Sequence, residues 1–248
     1  MESASFWFAA IAASVMVGMG KGGLPMVGML GVPVLSMVIS PVAAAGLLLP
    51  VYVVSDIFGL YAYRREYDSR VLSIVVPGML VGICLAWATA NMIPPRAVTG
   101  LVGLIGIVFA LNAIIRQKVS LSPQTARVGS GIFWGTVTGF VSFVVHSGAP
   151  PYQVYTLPLR MPKAVFAGTA TIAFAICNSV KLIPYYFLGQ LNFANIKLAA
   201  VLAVPASLAV FAGVWLVRVI PENTFYRIAT VALFAVSVKL LWNAVLST

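Results

Sequence analysis

The chain has 248 residues, of which 61% are hydrophobic and 8% are charged, and its mean hydropathy is +1.04. A soluble domain carries about 25% charged residues because its surface must face water, so this composition excludes a soluble globular protein. The 15 Lys and Arg against 5 Asp and Glu give a net charge of +10. No basic run is interleaved with aromatics as in a nucleic-acid-binding surface, so we expect lipid and no nucleic acid as the surroundings.

Six apolar stretches are long enough to span a bilayer as helices, since one crossing needs about 20 residues. They cover residues 42–63, 71–93, 97–115, 164–188, 198–217 and 225–246. The sequence therefore predicts an all-α polytopic membrane protein that forms a single transmembrane domain over residues 1–248.

Two further apolar stretches are interrupted by residues that break helices. Residues 6–39 are interrupted by the sequence GGLP, which begins at Gly22, and residues 128–159 by HSGAPP, which begins at His146. Non-helical backbone at membrane depth is tolerated only where it is buried in protein or lines a cavity. We expect each stretch to form a re-entrant hairpin of two half-helices that meet at an unwound tip.

The order of these features repeats along the chain. The GGLP sequence at Gly22 matches GAPP at Gly148, Asp56 matches Asn178, and Ile93-Pro94 matches Ile220-Pro221, at offsets that stay between 122 and 128. We infer two repeats, about 1–115 and about 128–248, joined by the polar stretch 116–127. Each repeat then holds one broken hairpin plus three transmembrane helices, an odd number, so the repeats are inverted, as in many transporters.

The basic residues predict an orientation. If the broken stretches are hairpins, one side of the membrane holds Arg64, Arg65, Arg70, Arg116, Lys118, Arg127, Arg160, Lys163, Arg218 and Arg227. The other side holds Arg96 and Lys197, with Lys239 near the C-terminal end, so the first side is cytoplasmic by the positive-inside rule. Both termini then lie outside. If each broken stretch crosses once, eight crossings result and the bias weakens.

Five polar residues lie within the apolar runs: Lys21, Asp56, His146, Asn178 and Lys181. Ionisable groups inside a membrane usually mark a transport pathway or a proton relay. The competing interpretations are an internal ion pair for Asp56 and a side chain that snorkels to the interface for Lys181. Lys181 follows Asn178 by three residues and so shares its helix face.

The two breaks predict a binding site for an anion. Half-helices that begin near Leu24 and Pro151 present amide hydrogens and positive dipole ends, and glycines let a ligand approach the backbone. The predicted substrate-binding residues are Lys21, Gly22, Gly23, His146, Ser147, Gly148, Asn178 and Lys181. Asp56 either accepts a coupling proton or pairs with a lysine, and His146 is an alternative proton carrier. For the glycines, close packing of helices is the competing explanation.

The GKGGLP sequence that begins at Gly20, the segment 41–46, and their echoes at 147–150 and 162–168 resemble the sulfite exporter TauE/SafE family over nearly the whole chain. This resemblance implies an inner-membrane permease for sulfite, sulfonates and related small anions. It also implies no ATP-binding part, and the sequence has no nucleotide-binding motif and no metal-ligand spacing, so no cofactor is expected. One departure is Ala149, where family members more often carry a second glycine.

Three classes of function follow, with different prospects. The leading class is a secondary transporter, for which we favour export as the direction of transport. A homodimer is a possible assembly that the sequence does not decide. An anion channel is the alternative, which saturable exchange would separate from a carrier. An intramembrane enzyme built on His146 and Ser147 is disfavoured, because adjacent residues rarely form a nucleophile–base pair.

Overall fold

The computed structural model describes residues 3–90, 92, 94–116, 123–191 and 193–246. Within these ranges the chain forms α-helices, one 3₁₀ turn at Leu157–Leu159 and no strand. The helices, in chain order, are α1 Ala4–Lys21, α2 Pro25–Gly28, α3 Gly31–Leu35, α4 Pro41–Tyr63, α5 Ser69–Ala88, α6 Pro95–Arg116, α7 Val128–Val145, α8 Ala149–Thr156, α9 Lys163–Phe187, α10 Phe193–Val219 and α11 Glu222–Leu246. Residues 117–122 of the predicted join and Ile93 of the predicted repeat lie outside the described residues.

The helix lengths confirm an all-α polytopic membrane protein. In the described residues, seven helices are long and apolar enough to cross a bilayer: α1, α4, α5, α7, α9, α10 and α11. Helix α6 covers the remaining predicted span. Most boundaries fall within three residues of the prediction, but α5 ends at Ala88 rather than near residue 93, where Thr89 caps the helix through a hydroxyl bond to the Leu85 carbonyl at 2.7 Å.

The two broken stretches differ from the expected pairs of half-helices. Their first arms, α1 and α7, each have 18 residues, which is enough to cross a bilayer. Their second arms are short, and in the first stretch α2 and α3 fold back on α1, with Gly28 against Gly20. The break in each stretch therefore comes late, so a full-length helix precedes a short returning segment.

The chain divides into two compact units, and each draws on both halves of the sequence. The first unit comprises Met1–Tyr67 and Ala167–Val219, and the second comprises Asp68–Phe166 and Ile220–Thr248. These units cut across the sequence repeats at about 1–115 and about 128–248. The inverted relation between the repeats stays a prediction.

In the first unit, α1 packs against α10, α4 and the short helices that follow it. Its core is apolar and contains leucines such as Leu48 and Leu202 together with many small side chains, among them Ala10, Ala13 and Ala206. Small residues let membrane helices approach closely and gain van der Waals contact. This close approach fixes the C-terminal end of α1, where the candidate site lies.

In the second unit, α5 packs along α7 and α6 along α11. Four glycines of α5 and α7 lie against backbone atoms of the opposite helix, so the two helices touch there without intervening side chains: Gly78, Gly82, Gly135 and Gly139. Where the start of α6 meets the end of α11, the guanidinium of Arg96 donates to the carbonyls of Ala244 and Val245 at 2.6 and 3.0 Å. A cation at a helix C-terminus is stabilising because it satisfies the last carbonyls.

Candidate functional site

The first break is a helix C-terminus closed by its own backbone. Helix α1 ends at Lys21, and Gly23 adopts a φ of 104°, where a side chain would be strained. The amide of Leu24 donates to the Met19 carbonyl and the amide of Gly23 to the Gly20 carbonyl, both at 3.2 Å. These bonds form a Schellman motif with glycine at its left-handed position. The glycine pair therefore ends α1 at a defined residue.

Two side chains from other helices complete this end of α1. The Thr171 hydroxyl of α9 donates to the Lys21 carbonyl at 3.0 Å, and the Tyr63 hydroxyl of α4 donates to the Gly22 carbonyl at 2.7 Å. The groups that end α1 are carbonyl oxygens that already have partners, and anion binding by the amides at the start of α2, which begins at Pro25, stays a prediction. The field of the α1 C-terminus is negative, so the positive charge at this break comes from the Lys21 side chain.

Gly22 and Gly23 are packed against neighbouring helices. A Cβ on Gly22 would lie 2.6 Å from the Gly213 Cα, and a Cβ on Gly23 would lie 2.6 Å from both the Ala167 Cβ and the Tyr63 hydroxyl. Real Cβ atoms essentially never come within 3.0 Å of another heavy atom. Small size is thus required here for close helix packing, and contact of these glycines with a substrate stays a prediction.

Lys21 and Asp56 form a buried ion pair. The Lys21 ammonium lies 2.6 Å from one Asp56 carboxylate oxygen, and the Asn178 amide donates to the other oxygen at 2.9 Å. The three residues are 5%, 3% and 4% exposed. The sequence left two roles open for Asp56, accepting a coupling proton or pairing with a lysine. In the structure Asp56 pairs with a lysine. Ion pairs inside a membrane protein are costly to desolvate and face the protein interior.

Lys181 belongs to the same buried group. It lies one helical turn after Asn178, is 1% exposed, and interacts electrostatically with Lys21 and Asp56. Such burial is not that of a side chain that snorkels to the interface. We call Lys21, Asp56, Asn178 and Lys181 the buried charge cluster. The formal charges of its two lysines and one aspartate sum to +1.

Aromatic side chains border the buried charge cluster. The Lys21 ammonium lies 5.2 Å from the centroid of the Tyr52 ring, within the range of a cation–π interaction. The Tyr52 hydroxyl donates to the Gly28 carbonyl at 2.8 Å, which ties the cluster to the short helix α2. Tyr185 and Cys177 are also buried on α9.

The second break has a different construction. Helix α7 ends at Val145, and His146 adopts a left-handed conformation with φ 53° and ψ 22°. The Ser147 hydroxyl donates to the Val145 carbonyl at 3.2 Å, and Gly148 precedes α8. His146 and Ser147 are 7% and 1% exposed. A β-carbon in the left-handed region costs about 1–2 kcal/mol, so surrounding contacts must hold this bend.

The structure groups the predicted site residues by unit. Lys21, Gly22, Gly23, Asp56, Asn178 and Lys181 belong to the first unit, and the buried charge cluster joins four of them. His146, Ser147 and Gly148 belong to the second unit. Substrate binding by any of these residues stays a prediction.

Sequence reasoning missed Tyr52, Tyr63 and Thr171. Two signals were available: Tyr52 precedes Asp56 by four residues, and Thr171 precedes Asn178 by seven, so each pair shares a helix face. Nothing local marks Tyr63, because its bond to the Gly22 carbonyl joins residues 41 positions apart.

The described residues, with many apolar helices and a buried group of ionisable side chains, define a polytopic membrane protein. A family model described as sulfite exporter TauE/SafE matches residues 5–240. The chain therefore belongs to the sulfite exporter TauE/SafE family, which confirms the resemblance noted in the sequence, and it is a multi-pass membrane permease. No curated protein and no solved structure matches it.

Proposed function

We propose that this chain is a secondary transporter that exports small sulfur-containing anions, such as sulfite and sulfonates, across the inner membrane. Membership of a family of sulfite exporters supports transport of an anion. The seven helices of spanning length support a path through the bilayer. This assignment makes the chain a permease rather than an enzyme.

The buried charge cluster is the observation that carries the proposal. Two lysines and one aspartate lie inside helices of spanning length, at exposures of 1–5%. Positive charge at that depth is costly in an apolar medium, and a bound anion offsets the cost. Lys181 and Asn178 share one face of α9 and supply an ammonium and an amide for the oxygens of a sulfite or sulfonate group.

Membrane potential supplies a driving force for export. Moving one negative charge out of a negative-inside cell is favoured by about 2.3 kcal/mol per 100 mV. Transport in this direction needs no ATP.

Transport into proteoliposomes tests the proposal. We expect saturable uptake of sulfite and of methanesulfonate by the reconstituted full chain, with acceleration by the same anion on the opposite side, as a carrier requires. Lys181→Met should weaken the apparent affinity about tenfold or more, since a hydrogen bond to a charged group contributes about 1.5–3 kcal/mol.

Lys239→Met is the matched control. Lys239 is an exposed lysine on α11 in the second unit, so the same substitution there should leave flux unchanged. Absence of flux of either anion from a folded preparation would refute the proposal, and flux without saturation or exchange would indicate a channel.

A further inference from the structure

The second break contains a buried glutamine. Gln153 lies in the middle of α8 and is 1% exposed, and its side-chain carbonyl oxygen has no hydrogen-bond partner among the described residues. Glutamine is mostly exposed in proteins, and a buried polar atom almost always has a partner, which is water or a ligand where the protein supplies none. The Gln153 amide therefore points to a polar group that binds at this position.

The side chain of Gln153 leans toward the start of α8. Cα–Cβ bonds in a helix tilt toward its N-terminus, and long side chains lie over the preceding turn. For Gln153 that turn holds Ala149 and Pro150, four and three residues earlier. The amide is therefore directed toward the bend at residues 146–148, which joins α7 to α8.

The start of α8 has a positive field but few amide donors. The aligned peptide dipoles place partial positive charge at a helix N-terminus. Pro150 and Pro151 carry no amide hydrogen, the N-cap is Gly148, and the Tyr152 amide donates to the Gly148 carbonyl at 3.3 Å. An anion at this bend therefore needs donors from side chains, and the amide nitrogen of Gln153 carries two hydrogens.

The neighbouring hydroxyl group adds an acceptor to this bend. Ser147 donates its one side-chain hydrogen to the Val145 carbonyl at 3.2 Å, so only its oxygen lone pairs can meet a ligand. The Gln153 carbonyl oxygen is a second acceptor. A fully deprotonated anion brings no hydrogen for either oxygen, whereas an anion with a hydroxyl group does.

We propose that the second break binds a singly protonated oxyanion and that Gln153 is the residue that selects it. The amide nitrogen of Gln153 donates to a charged oxygen of the anion, and the side-chain carbonyl oxygen accepts the hydrogen of its hydroxyl group. Among small sulfur anions, hydrogensulfite carries such a hydrogen and a sulfonate does not. This inference rests on the proposed function and names hydrogensulfite as the preferred form of the substrate.

Hydrogensulfite keeps the driving force of the proposed export. It carries one negative charge, so a negative-inside potential favours its outward movement. The sulfite dianion carries two charges and costs more to bring into a medium of low dielectric constant. The singly protonated form thus combines a hydrogen for the Gln153 oxygen with the smaller desolvation cost.

Two anions of the same shape and charge test this inference. In mildly acidic buffer, methylphosphonate and methanesulfonate are both monoanions with one methyl group and three oxygens, and only methylphosphonate carries a hydroxyl hydrogen. A site with a buried acceptor rejects the analogue that leaves this acceptor unpaired. Calorimetry on the purified full chain should therefore give a dissociation constant for methylphosphonate at least about fivefold below that for methanesulfonate.

Gln153→Met keeps the length of the side chain and removes the amide. The ratio of the two dissociation constants should then fall to about twofold or less, because both hydrogen bonds to the anion are lost. Gln124→Met is the matched control, since Gln124 is an exposed glutamine of the same unit, and it should keep the wild-type ratio. A general loss of stability weakens the binding of both anions alike and leaves the ratio unchanged. If Gln153→Met does not fold, the wild-type ratio alone decides.

The outcomes separate this inference from the proposed function. Equal binding of the two anions by the wild type, or an unchanged ratio in folded Gln153→Met, would overturn the role of Gln153 and indicate that a buried water is its partner. Saturable sulfite exchange would then still support the transporter. Conversely, the expected ratios without flux of sulfite or methanesulfonate would support the site and refute the transporter.

Discussion

At the scale of single residues, the neighbours of a side chain decide what its charge does. Lys21 stands in a glycine-rich break, and the sequence favoured it as a cation open to a substrate. In the structure its ammonium is 2.6 Å from Asp56 and above the ring of Tyr52. The list of buried polar residues was predictable from their apolar surroundings. Their pairing was not, because Lys21 and Asp56 are 35 positions apart and no local pattern links them.

The two non-glycine residues with positive φ, among those described, allow backbone strain to be separated from side-chain function. They are His146, which is buried, and Arg160, which is exposed. Arg160→Gly should raise the free energy of unfolding by about 1 kcal/mol, because the left-handed backbone then carries no β-carbon. His146→Gly should raise it less, since buried contacts of the imidazole are lost.

Thermal unfolding measures both effects, and anion flux in proteoliposomes supplies the second readout. We expect flux to fall in His146→Gly and to stay at the wild-type level in Arg160→Gly. Wild-type flux in a folded His146→Gly protein would remove His146 from the predicted site and from the list of proton carriers.

At the scale of elements, helix positions follow from composition, whereas the way helices end follows from specific contacts. Most of the long apolar stretches became helices close to their predicted bounds, because backbone groups in lipid must be satisfied within the segment. The sequence also located both breaks. It did not reveal that α1 ends in a Schellman motif or that Thr171 and Tyr63 occupy the remaining carbonyls.

Helix α7 offers a matched test of close packing between elements. A Cβ on Gly139 would collide with the Met79 carbonyl of α5, whereas a Cβ on Gly129 would meet nothing within 4 Å. Gly139→Ala should lower the free energy of unfolding by about 1–3 kcal/mol through overpacking. Gly129→Ala should raise it by about 0.5–1 kcal/mol through helix propensity.

Thermal or denaturant unfolding of the two variants in one detergent provides the comparison. If both variants lose the same stability, the loss in Gly139→Ala does not come from its contact with α5. A neutral Gly139→Ala would show that the α5–α7 approach is looser than the structure has it.

At the scale of the whole molecule, the charge pattern predicts an orientation that separates the hairpin arrangement from eight crossings. The hairpin arrangement places the loop around Pro162 in the cytoplasm and Lys197 outside, and eight crossings reverse both. Single cysteines at these exposed positions, in a chain with Cys84→Ser and Cys177→Ser, report the side to which each belongs. We expect an impermeant thiol reagent added to intact cells to label Lys197→Cys and not Pro162→Cys.

Labelling after permeabilisation is the control for reactivity. Pro162→Cys must be labelled after permeabilisation, because otherwise the absence of labelling in intact cells says nothing about the side on which residue 162 lies. Labelling of Pro162→Cys and not of Lys197→Cys in intact cells would establish eight crossings. Each repeat would then cross the membrane an even number of times, and the argument for inverted repeats would be lost.

The sequence by itself determined that this chain resides in a membrane, roughly where most of its long helices lie, where two of its apolar stretches break, and which family it resembles. These properties depend on composition and short motifs, because transfer into lipid and backbone hydrogen bonding act on each segment separately. Only the tertiary structure decided which charges meet, and that α4 and α9 supply the caps for α1. Those contacts join residues 35 to 150 positions apart, and segment-by-segment patterns carry no information about such pairs.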